Sequence, residues 1–227
     1  MIRLMDMMLL LLLVLAGTVP CQANDGKSPT EGKRIVVIGD SYVRNHKRPW
    51  SESWHAQVAD RLGMFYLNYG KNGNCIAFDR TRESFGRPMS ERYLQMPDSA
   101  DYIIVIAGHN DAFYLARHTD CDLWPEFTQG LDRLVDGLKE KYPNGKIGFV
   151  LPWDLDNPNF REVREQIRKV CGEKGIPVLD ISGEGVIKVN DPEFRNEYFQ
   201  GQEDTAHLNA KGHKLILELG KNFILGL

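Results

Sequence analysis

Cysteine is scarce in this chain of 227 residues: there are four, at 21, 75, 121 and 171, and no pair has the CxxC spacing of a zinc or redox site. Disulfides therefore cannot be the main source of stability, which has to come from an apolar core. Net charge is only -3 with both signs interspersed, so nothing points to nucleic acid as a partner. No apolar run reaches the roughly 20 residues that a bilayer crossing takes. No repeat, low-complexity tract or Pro/Ser-rich linker divides the chain. What remains is a single domain over 33–227, roughly 195 residues, large enough for a substantial core.

The first residues have a different character. A short N-terminal stretch with one Arg and one Asp precedes an unbroken apolar run over 9–16, and small residues follow it. This pattern is that of an export signal, 1–23, too short to be an integral membrane span. Two cleavage readings stay open. A peptidase can cut after Ala23, or a lipoprotein signal, 1–20, can end before Cys21, which would then carry a lipid anchor. Pro20 directly before Cys21 tilts the balance towards plain export to a periplasmic or extracellular location. The polar tract 24–32 reads as a flexible leader. Export also permits one disulfide, Cys75 with Cys121, although buried free thiols are the preferred reading of the three remaining cysteines.

Beyond the leader, five short apolar runs at 34–38, 65–69, 102–107, 146–151 and 177–181 alternate with longer amphipathic stretches. That alternation predicts a doubly wound α/β fold with a parallel sheet. Helices are expected over 52–62, 125–141, 159–174 and 209–223. The second buries Phe127, Leu131, Leu134, Val135 and Leu138, and the last turns Leu215, Ile216 and Leu219 inward. The segments 77–97 and 182–203 lack clean periodicity and read as loops or short helices. In a parallel sheet all strands end at one edge, where ligands bind. That edge collects Ser41, the turns 70–75 and 108–111, the segment 153–156 and Ser182.

Chemistry follows from those strand ends. Gly39-Asp40-Ser41 closes the first strand, and its tight turn would expose the Ser41 hydroxyl as a nucleophile. A serine hydroxyl needs an imidazole to take its proton and a carboxylate to orient that imidazole. Asp204 and His207, three apart, supply both if a helical turn sets them on one face. Acyl transfer also needs donors aimed at an oxyanion. The candidates are the N–H groups of Ser41 and Gly70 and the side-chain amide of Asn110. His109, Trp153 and Asp154 are candidate substrate contacts, while His46, His55, His118 and His213 read as structural or exposed. Asp40 and Asp111 are expected to brace their own turns.

Gly39-Asp40-Ser41, Gly70, Gly108-x-Asn110-Asp111 and Asp204-x-x-His207, in that order over 33–227, resemble the SGNH, or GDSL-type, esterase and lipase family. The resemblance implies a flavodoxin-like three-layer α/β/α fold with a five-stranded parallel sheet. It also implies a Ser-His-Asp mechanism using no metal and no cofactor, with Ser41, Gly70 and Asn110 forming the oxyanion hole.

The family spans lipases, lysophospholipases, thioesterases and carbohydrate acetylesterases, so substrate does not follow from fold. Trp50 and Trp153 near strand-end loops, where a sugar ring could stack, favour a short acyl ester on a carbohydrate or another small molecule. Arg44, Lys47, Arg48, Arg80, Arg82 and Arg87 read as solvated surface charge, with selection of acidic sugars or phospholipid head groups as the alternative. Two rival readings are a metal-dependent phosphoesterase built on Asp40, His109, Asp111, Asp204 and His207, and a non-catalytic glycan-binding surface protein.

Overall fold

The computed structural model describes residues 28–80 and 85–227. The expected export signal over 1–23 with Cys21, residues 24–27 of the expected leader, and Arg82 lie outside the described residues. Among those described, no helix is long and apolar enough to cross a membrane.

Five strands form one sheet: β1 (Arg34–Gly39), β2 (Phe65–Gly70), β3 (Tyr102–Ile106), β4 (Lys146–Val150) and β5 (Val178–Leu179). The order is β2-β1-β3-β4-β5 and every pairing is parallel. This is the doubly wound arrangement in which strand order reverses at β1, so the chains leaving β1 and β3 diverge and open a crevice. Gly39 stands level with Gly70 on one side and Ile106 on the other, so three strands end together where Ser41 begins.

Strand alternation divides the core into two layers. Val36, Ile38, Ile103 and Val105 face one side, against α4 (His109–Arg117), α5 (Trp124–Lys141) and α6 (Pro158–Glu173). Ile35, Val37, Ile104 and Ile106 face the other, against α1 (Ser41–Arg44), α2 (Trp54–Arg61) and α9 (Leu217–Gly226). The α5 stripe is buried as its spacing predicts, from Phe127 to Leu138. Three short helices complete the chain: α3 (Met89–Arg92), α7 (Pro192–Tyr198) and α8 (Ala210–Leu215).

Three expectations need correction. The tract read as a flexible leader is docked from Ser28 onward, because Thr30 is buried and donates its hydroxyl to Leu62 O at 3.0 Å. The three cysteines are free thiols, as preferred, but Cys121 is exposed where burial was expected, and the alternative Cys75–Cys121 bond does not form. The expected last helix is two, since the Ile216 N–H bonds three residues back to His213 O and tightens the turn between α8 and α9. Its inward stripe is His213, Ile216, Leu217 and Gly220, anchored by the buried His213, whose Nε2 meets Asn45 Oδ1 at 3.1 Å. Leu215 is turned out, 39% exposed, while Leu217 is 6% exposed.

That phase predicts unequal costs for two neighbouring truncations. Leu217→Ala should lower the unfolding free energy by about 2–4 kcal/mol, whereas Leu215→Ala should cost less than about 1 kcal/mol. Urea denaturation of both variants reads the difference, and equal costs would contradict the break at Ile216.

Candidate active site

Ser41 is the first residue of α1, directly after β1, and Asp40 caps that helix by accepting from the Tyr42 N–H at 2.9 Å. The Ser41 N–H sits in a first turn, where helix geometry provides no partner, and it has no acceptor among the described residues. His207 and Asp204 arrive on a loop before α8. His207 Nε2 lies 3.0 Å from Ser41 Oγ, across 166 residues of sequence. His207 Nδ1 lies 3.0 Å from Asp204 Oδ2.

Asp204 and His207 are not joined by the expected helical turn. Asp204 Oδ1 instead accepts from the N–H groups of Ala206 and His207, both at 2.8 Å, and folds the loop around its own carboxylate. Burial pulls the Asp204 pKa upward, but these bonds and the ring of His207 outweigh it and hold the group at about 2. An ionised Asp204 fixes the proton of His207 on Nδ1 and leaves Nε2 as a base facing Ser41.

The expected oxyanion donors fare differently. The Gly70 N–H donates to Asn68 Oδ1 at 2.9 Å and is not available. Glycine is needed at 70 for packing, since a Cβ there would lie 2.2 Å from Arg44 N. Three residues on, Gly73 has φ +70° and an N–H with no acceptor among the described residues. Asn110, in the first turn of α4, places Nδ2 at 3.1 Å from Asp40 Oδ2 and 3.2 Å from Asn74 O. Both amide protons thus have acceptors, and the amide is held in one orientation beside the loop that carries Gly73.

Two of the candidate substrate contacts are interior. Trp153, 3% exposed, stacks on Tyr42 at 4.7 Å and donates its indole N–H to Ala206 O at 2.8 Å. His109, 6% exposed, meets the Tyr42 hydroxyl at 2.8 Å through Nδ1. Burial, reinforced by nearby His207, pushes the His109 pKa down to about 3, so it stays neutral. Asp154 is half-exposed, on a shallow depression of about 440 Å³ that it shares with Ser182 and Asn190. Trp50 stacks on Tyr66 in β2, four residues before the strand end, and so stands away from the site edge.

Sequence reasoning missed three residues. Arg92, 8% exposed, donates to Gly39 O, Tyr69 O and Asn74 Oδ1, tying β1, β2 and the Gly73 loop together. Asp111 reaches beyond its own turn to the N–H groups of Ile76 and Ala77. His46 sets its ring 4.7 Å from that of His207. Of these only His46 carried a signal, its nearness to Ser41. The ligand set of the metal reading is dispersed: Asp111 is committed to backbone and His109 to Tyr42, and among the described residues no three such groups converge.

Residues 37–215 match the GDSL-like lipase/acylhydrolase family. The chain belongs to that family. It is thereby a hydrolase of carboxylic esters. No curated protein matches it significantly in sequence. Solved structures sharing the GDSL-family fold include a protein from Lactobacillus plantarum, 22% identical with a TM-score of 0.71 over 86% of this chain and 98% of that one. A member of the lipolytic protein G-D-S-L family from Veillonella parvula is 19% identical, TM-score 0.57, over 86% and 99%. An acetyl xylan esterase is 18% identical, TM-score 0.61, over 86% and 100%. At these identities the likeness is one of fold.

One consequence for this GDSL-type site is measurable through Asp40. Its burial raises the pKa from 3.8 to about 7, against the opposing pull of the Tyr42 N–H, His207 and Asn110. Folded protein therefore holds the Asp40 proton more tightly than unfolded chain between those values, and the contribution of Asp40 to stability falls as pH rises through that window. Asp40→Asn should be less stable than the parent at pH ~5, with the gap closing or reversing towards pH ~8. Urea denaturation across pH checks this; a gap that stays constant would place Asp40 at an ordinary carboxylate pKa.

Proposed function

We propose that the chain is an exported serine esterase that acts through an acyl-enzyme and removes short acyl groups, acetyl foremost, from carbohydrates. The observation that carries it is the hydrogen-bonded series Ser41 Oγ, His207 Nε2, His207 Nδ1 and Asp204 Oδ2, each link 3.0 Å.

His207 Nε2 takes the Ser41 proton as Oγ attacks the ester carbonyl, and Asp204 stabilises the imidazolium that results. The tetrahedral oxyanion receives the free N–H groups of Ser41 and Gly73. Asn110 Nδ2 supplies a third donor by turning one proton from the neutral Asn74 carbonyl to the stronger, charged acceptor. Each such donor is worth roughly 3–4 kcal/mol in acyl transfer. His207 then gives its proton to the leaving alcohol, and a water deprotonated by the same ring releases the acid from Ser41.

The exposed large apolar residues described, among them Trp50, Phe65 and Leu94, lie on separate elements of the chain. The acetyl xylan esterase of the same fold acts on a substrate of this class by its name. Export rests on the apolar run at 9–16.

Ser41→Ala should lose at least about 10³-fold in kcat on p-nitrophenyl acetate, Asp204→Asn about 10⁴-fold and Asn110→Ala about 10²- to 10³-fold. The parent should release acetate from acetylated polysaccharides and turn over a palmitoyl ester far more slowly. Absence of both ester turnover and Ser41 labelling by a fluorophosphonate would end this reading.

A further inference from the structure

The face of α4 leads away from Asn110. Asn110, Tyr114 and Arg117 lie at i, i+4 and i+7 and form one row, which at 1.5 Å per residue extends about 10 Å from the amide to Arg117. A cleft of about 210 Å³ opens along this row, walled by Asp79, Arg80, Phe113, Tyr114, Arg117 and His118.

Arg80 is built into the wall. One nitrogen of its guanidinium donates to Gly73 O at 2.9 Å and reaches Asn110 Oδ1 at 3.4 Å. The plane lies 4.2 Å from the centre of the Phe85 ring. It therefore joins the backbone of the Gly73 loop to the side chain of Asn110 from outside. Its remaining nitrogens have no hydrogen-bond partner among the described residues, and neither Arg80 nor Arg117 has an ion pair there. Arg117 instead lies 5.8 Å from the Phe113 ring. His118 bonds Tyr114 O through Nδ1 at 2.8 Å. Among the described residues two guanidinium groups thus share the wall with one carboxylate, Asp79. Arg80 is held by stacking and a backbone contact and Arg117 is exposed beside it on the wall; planar forks are suited to carboxylates, which they grip through paired donors.

We propose that this cleft is an acidic subsite, in which Arg80 and Arg117 hold the carboxylate of a uronic acid unit in the alcohol part of the substrate. The assignment rests on the short-acyl carbohydrate esterase reading: an acetyl group cannot span about 10 Å from the oxyanion donors to Arg117, so the part of such a substrate that reaches the cleft is its alcohol part. It also makes the subsite a reader of the sugar unit beside the acylated one.

The test compares kcat/KM for an O-acetylated oligogalacturonate with that for an O-acetylated xylo-oligosaccharide of equal length. The parent should favour the acidic substrate at least tenfold. That ratio should fall about tenfold in Arg117→Ala, fall less in Arg117→Lys, which keeps the charge but not the planar fork, and hold in Arg133→Ala, an exposed arginine outside the cleft. A second arm titrates unacetylated oligogalacturonate into Ser41→Ala by calorimetry, where adding Arg117→Ala or raising salt should weaken binding at least tenfold. If the parent cleaves p-nitrophenyl acetate but the ratio is near one, or falls equally in Arg117→Ala and Arg133→Ala, the subsite is overturned and the esterase stands. If the calorimetric arm shows Arg117-dependent binding while the parent cleaves no ester, the subsite stands and the esterase reading falls.

Discussion

Function here depends on holding one loop against one short helix. Ser41 and His207 come from opposite ends of the domain, and no strand or helix contains both. Trp153 makes the connection: its ring lies on Tyr42, the neighbour of Ser41, and its N–H donates to Ala206, the neighbour of His207. A buried bond of this kind contributes about 1 kcal/mol net, yet breaking it strands an indole N–H and a carbonyl away from water. The stack fixes the angle and the hydrogen bond fixes the distance. Trp153 can do this because it follows β4, whose end lies at the same sheet edge as that of β1.

Below that contact lies a polar layer that would be costly without its partners. Asp40, Asp111 and Arg92 are all buried under or beside the candidate site. Arg92 spreads its donors over acceptors from β1, from β2 and from Asn74. Asp111 receives two N–H groups from the other end of the same loop. The segment between Gly70 and Ala77 has no regular structure of its own, so these groups do for it what a ladder does for a strand. Buried charge with full hydrogen bonding is weak as a source of stability but strong as a source of geometry. Donors fixed before substrate arrives need no reorganisation when charge develops.

Sequence was most informative where a short motif and its chemistry coincide. The sheet, its parallel sense, the α5 stripe and the Ser41, His207 and Asp204 set could all be read because each depends on local periodicity or on residues of defined reactivity. Three kinds of feature resisted. Whether an N–H is free is decided by neighbours: Gly70 and Gly73 look alike in sequence, and only the fold-back of Asn68 separates them. Whether an aromatic faces substrate or core is decided by packing, and Trp153 fell on the inner side. Helix phase is set by what is buried, so the interior hydrogen bond of His213 turned Leu217 inward where spacing had chosen Leu215. Arg92 carried no signal, since a lone arginine in a loop-rich stretch reads as surface charge.

The two halves of α4 divide positioning from recognition. Its first turn sends Asn110 and Asp111 inward, to Asp40, Asn74 and the loop at 76–77. The next two turns present Tyr114 and Arg117 to the cleft. Arg80 is the one cleft residue that also touches the inner set, through Gly73 O and Asn110 Oδ1. Both contacts use the same nitrogen of a guanidinium that has five N–H donors in a rigid plane. A carboxylate on the outer edge can therefore be bound while the inner edge keeps its hold on the loop. The positive charge beside Asn110 Oδ1 also polarises the amide and strengthens its N–H groups as donors. Because the fork is planar, filling the cleft would lock Arg80 more firmly in the orientation that supports Asn110, so in the proposed subsite binding of a carboxylate would also brace the amide beside Ser41.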